Sequence, residues 1–211
     1  QVTPTISTVY KAFKEYREKY NIPLQELLED MKKYAAIYSR LISGKSGLND
    51  QELDDCMYRL NRLDVTVTMP FFMEVLCLNQ DGGKLSTHDV KQIFLITETY
   101  LFRRNICEVP TNALNKIFLN LNREILRYED NTDHYVDKFI YALYSKKESG
   151  RFPDDDEFKQ ALSTKAIYQM RGKYKEYLFE RFENYGTRET KDVYTLLDNG
   201  TYSIEHIMPQ S

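Results

Sequence analysis

The residues with the clearest chemical potential stand near the C-terminus, in Ile204-Glu205-His206-Ile207-Met208-Pro209. An imidazole beside a carboxylate can divide two tasks. His206 can take a proton from water near neutral pH, and Glu205 can help hold a divalent cation such as Mg2+ through hard oxygen atoms. Hydrolysis of a phosphodiester needs both: a base to make the nucleophile, and a cation to neutralise the phosphate and the leaving oxygen. Alone, the six residues fit a surface histidine beside a proline about equally well.

Other side chains invite a chemical reading and each has a plainer one. Arg103 and Arg104 end a long apolar helix, where guanidinium groups suit the helix C-terminus and can pair with Glu98 or Glu108, or contact a nucleic-acid phosphate. Neighbours on a helix point about 100° apart, so the two should differ in role. One is expected to pair with a carboxylate such as Glu98, leaving the other for phosphate or an adjoining domain. Arg127 and His134 have the spacing of the Arg–His pair in metal-independent RNases with the all-helical HEPN fold, although Tyr128 stands where those enzymes carry a small polar residue. Asp154-Asp155-Asp156-Glu157 lacks the alternating ligands and turn glycine of a calcium loop and reads as a helix start. Cys56, Cys77 and Cys107 are far apart among apolar residues and read as buried thiols.

These groups must be positioned by helices. The 211 residues are 42% apolar and 29% charged, enough for a substantial core, and a net charge of −3 counts against a surface that coats nucleic acid over its whole face, though not against local contacts. No apolar run is long enough to cross a bilayer and no leader is visible, so a cytoplasmic protein is expected; Gln1 at the start suggests a piece of something longer. Helical spacing of apolar residues, with Ser86 and Asp89 as a capping-box variant, predicts about eight to ten helices. Their core should hold Phe13, Leu27, Leu60, Phe94, Leu101, Ile117, Leu121, Phe139 and Leu178. The fold class expected is mainly α: a multi-helix array over 1–192, with a possible subdomain break at 80–85.

From Val193 to Ile207 the pattern changes. β-branched and aromatic residues flank Asp198-Asn199-Gly200, and Asn-Gly suits a tight hairpin turn. Residues 193–211 are therefore expected to form a short β-hairpin that delivers Glu205 and His206. That is how a ββα-metal (HNH, or His-Me finger) nuclease begins, here truncated.

The resemblance extends beyond this motif. Glu98-Thr99-Tyr100-Leu101-Phe102-Arg103-Arg104-Asn105-Ile106-Cys107, Pro110-Thr111-Asn112, Phe152-Pro153-Asp154-Asp155 with Phe158, Lys173-Tyr174, Leu178 to Glu183, and Ser203 to Gln210 occur in the order seen in GmrSD-type proteins. The chain resembles the C-terminal half of these modification-dependent (type IV) restriction endonucleases of phage defence. The resemblance implies an upstream ParB-like nucleotide-hydrolysing domain, DNA as partner, His206 as general base and Glu205 as a metal-side carboxylate. The helix expected next in such a nuclease, with further Asn or His ligands, is not in the sequence. The 211 residues alone are thus expected neither to cut DNA nor to hold a metal tightly. Two other functions stay open: a non-catalytic helical coupling module, and an RNase built on Arg127 and His134.

Overall fold

The computed structural model describes residues 5–127, 131–187 and 189–205, and among these it shows helices and no strand. The first five are α1 Val9–Tyr20, α2 Leu24–Ser43, α3 Gln51–Leu63, α4 Met69–Gln80 and α5 Thr87–Ile106. The next five are α6 Leu114–Leu126, α7 Tyr135–Tyr144, α8 Asp155–Thr164, α9 Gly172–Glu183 and α10 Val193–Asp198. None of these helices is long and apolar enough to cross a membrane.

Side-chain caps set several helix starts by satisfying amides that no helical carbonyl can reach. Asp50 accepts from Leu53 N–H at 3.0 Å and Asp154 from Glu157 N–H at 2.8 Å. Ser86 and Asp89 cap each other's backbone, as the sequence predicts. Gly44 ends α2 at φ +67°, and a Cβ there would lie 3.3 Å from Tyr58 Cα, so both the turn and the close approach of α3 require glycine.

α4 lies against α2 and α6; α5 runs between α3 and α7 and reaches α8; α9 packs on α3, and α10 on α9. The main core draws on α2 to α7, with Phe72 stacked on Phe94 at 3.9 Å and Phe71 on Phe139 at 5.5 Å. A smaller cluster joins Leu63 and Ile106 to Met170, Tyr174, Tyr177 and Leu178, which attaches α9 to the ends of α3 and α5. Residues 80–84 form the turn between α4 and α5, where Asp81 pairs with Lys33 at 2.6 Å.

Three sequence expectations need correction. The C-terminal β-hairpin is absent from the described residues: Val193–Asp198 is the helix α10, capped by Asp192 and closed near Gly200 at φ +75°. Asn-Gly supplies a positive-φ residue for a helix stop as readily as for a hairpin, so the dipeptide alone did not decide. Phe13 is half-buried, and α1 buries no residue, because no described element covers its apolar face. Glu98 does not pair with Arg103 or Arg104. It is buried against Arg59 of α3, which grips it through Nε to Oε1 and Nη2 to Oε2 at 3.0 Å. Burial opposes the charge on Arg59, but the Glu98 hydrogen bond and field outweigh it and hold the guanidinium charged.

Removing one partner of such a pair strands a buried charge. Arg59→Ala is expected to cost about 3–5 kcal/mol in denaturant unfolding, whereas joint replacement of Arg59 by Met and Glu98 by Leu should recover most of that loss.

Candidate functional site

The C-terminal end of α5 builds the first half of the site. Arg104 is 2% exposed, and it donates from Nη1 to Arg151 O (3.0 Å) and from Nη2 to Pro110 O (2.6 Å) and Ser149 O (2.7 Å). One turn earlier, Tyr100 Oη donates to Gly150 O at 2.7 Å. Arg103 turns the other way, to Pro153 O at 3.2 Å and the Asp155 carboxylate at 2.6 Å, with Phe158 beneath it at 5.3 Å. The two arginines do differ in role, yet both are committed to segment 149–155. Arg104's terminal nitrogens are taken, and its burial disfavours the charge first of all. Neither stands free on the surface.

The same grip sets the residues beyond it. Phe152 stacks on Tyr144 at 4.6 Å and leans on Tyr100 at 5.1 Å. The acidic run then opens α8 in the capping role its composition suggests, and Phe102 of α5 meets Phe158 of α8 at 6.1 Å. Phe102 also meets Tyr177 of α9 at 4.7 Å.

The second half is the approach to Glu205. Arg62 of α3 forks onto Asp198 at the end of α10, at 2.8 and 3.0 Å, and reaches Glu176 of α9 at 3.4 Å. The same guanidinium lies 4.8 Å from the ring of Tyr194, whose edge meets Tyr58 at 5.6 Å. Beyond α10, Tyr202 N–H donates to Leu196 O at 2.8 Å, and Tyr168 Oη to Glu205 O at 2.8 Å. The Glu205 carboxylate is exposed and accepts from Ser203 Oγ at 2.7 Å. It offers one oxygen donor group of the kind a hard cation takes. Among the described residues no group of three or more His, Cys, Asp or Glu side chains could complete a metal set. His206 lies outside the described residues.

Sequence reasoning missed Arg62, Tyr168 and Asp198. No local spacing could have shown them, since Arg62 and Asp198 are 136 positions apart. Of the alternative RNase pair, Arg127 is exposed at the end of α6, and His134 is exposed with Nδ1 3.6 Å from Asp137.

Residues 152–211 match the family model described as GmrSD restriction endonucleases, C-terminal domain. Through this segment the chain is similar to the GmrSD restriction endonucleases. The matched span begins at Phe152, inside the stretch that Arg103 and Arg104 hold, and it includes Glu205 and His206. The segments Glu98–Cys107 and Pro110–Asn112 lie before it. No curated relative and no solved structure matches the chain.

The Arg62–Asp198 contact gives a pH test. Hydrogen bonding to Arg62 holds the Asp198 carboxyl below its ordinary value of 3.8. A depressed carboxyl stabilises the folded pairing above that ordinary value and loses it as pH falls through the folded value. Amide signals of Tyr194 to Tyr202 should therefore keep their positions from neutral pH down to about 4 and shift together only below it. Asp198→Asn should loosen the same amides already at pH 7 and remove the acid transition.

Proposed function

We propose that this chain is the helical body, and the start of the nuclease centre, of a restriction endonuclease that cuts modified DNA in defence against phage. The observation that carries the reading is the family match over 152–211, which includes the one Glu-His pair in the sequence. In this reading His206 is the general base that takes the proton from the attacking water. Glu205 stands beside it with an exposed carboxylate, suited to the cation side of the centre. A divalent cation such as Mg2+, when bound, would neutralise the scissile phosphate and the leaving oxygen. Glu205 supplies one donor, and the remaining ligands must come from residues other than those described.

The helical body has a coupling role in the same proposal. Arg103, Arg104 and Tyr100 hold the segment where the matched domain begins, so a shift of α5 would carry that segment with it. The expected source of such a shift is the ParB-like nucleotide-hydrolysing domain of the family. The protein then acts in the cytoplasm on DNA.

The test uses the protein as expressed from its own gene. His206→Ala should lower Mg2+-dependent cleavage of modified DNA at least about a hundredfold, the lower end of what a positioned base contributes. Glu205→Gln should raise the Mg2+ concentration needed for half-maximal cleavage while leaving thermal unfolding unchanged. Undiminished cleavage by His206→Ala would sink the assignment and direct attention to Arg127 and His134.

A further inference from the structure

A cleft of about 520 Å³ opens between the end of α5, the loop around Val109–Thr111, and the link that leads into α9. Its charge is unlike that of the whole chain, which is −3. Arg104, Lys165 and Arg171 line it, against the single carboxylate of Glu108. Glu108 is already bound to Lys165 at 2.7 Å.

Arg104 is the unusual member. It is buried, its acceptors are all backbone carbonyls, and no carboxylate answers its charge. Its Nε is buried and has no hydrogen-bond partner among the described residues. A buried cation without a counter-charge is costly, and an anion brought close to it relieves that cost. At the mouth, Arg171 is exposed and makes no ion pair or side-chain hydrogen bond within the described residues. It sits at the start of α9, a helix with no side-chain cap and no acidic residue in its first turn. Such a start leaves amides and the positive end of the helix dipole unanswered. Asn105 and Gln169 add neutral donors to the lining.

We propose that this cleft binds a phosphate group, carried by a nucleotide or by a nucleic-acid backbone. Arg171 and Lys165 contact the phosphate oxygens, and Arg104 supplies fixed positive charge from the floor. Arg104 thereby has a role towards phosphate that its occupied terminal nitrogens do not preclude. The volume exceeds what a bare phosphate fills and leaves room for the group that carries it. The proposal is separate from the nuclease reading, because its readout is binding without a divalent cation.

Calorimetric titration of the 211-residue chain in EDTA buffer tests it, with inorganic phosphate, a nucleoside triphosphate and a short DNA duplex as probes. At least one probe should bind, and Arg171→Ala or Lys165→Ala should weaken it about tenfold, as loss of a charge-assisted contact does. Arg17→Ala, on α1 and outside the lining of the cleft, should have no effect. Tighter binding of the triphosphate than of the duplex assigns the site to a nucleotide, and the reverse order assigns it to nucleic acid. If none of the three probes binds, or if binding is weakened by neither substitution, the proposal is overturned.

Discussion

A guanidinium taken out of water must find acceptors, and the one at Arg104 finds them on two separate stretches of backbone. It reaches Pro110 after α5 and Ser149 and Arg151 after α7, which closes both crossings onto the same helix end. The residues that follow directly inherit their position from that closure. With 149–151 fixed, Phe152 is set between Tyr100 and Tyr144, Asp154 can start α8, and Phe158 meets Phe102. The segment that matches the GmrSD C-terminal domain model thus begins beside the end of α5.

α5 can serve this way because its other side is held equally firmly. Glu98 ties it to α3 through Arg59, and the aromatic stack of Phe72 and Phe94 ties it to α4. α3 in turn presents Arg62 to α9 and α10. The partners grow more exposed along this path. Glu98 is buried, Asp198 is largely solvent-facing, and Glu205 is held by a backbone contact to Tyr168 and a hydroxyl from Ser203. Local stability tracks such gradients, so the helical body is the firm part and the approach to the Glu-His pair the yielding part.

The sequence made much of this visible, for identifiable reasons. Apolar residues at helical spacing disclosed a mainly helical chain and the expected number of helices, since most of these helices have a face that another covers. Caps at Ser86 and Asp154 were legible because their chemistry is local. Phe13 misled because periodicity reports a face and says nothing of whether anything covers it. Asn199-Gly200 misled because left-handed backbone serves a helix stop and a hairpin alike. Arg103 and Arg104 could be seen to differ but not to share one target, which lies nearly 50 positions away in sequence. The Glu205–His206 pair was read from residue types alone, and the family match includes it.

The central claim is that the end of α5 holds the start of the C-terminal domain. Hydrogen–deuterium exchange on the chain with Arg104→Met tests it most directly, because methionine keeps an unbranched apolar stem while removing the three carbonyl contacts. The account predicts that peptides over 149–165 lose protection while those of α2 to α4 keep theirs. Unchanged protection over 149–165, or loss spread evenly through α2 to α4, would contradict it.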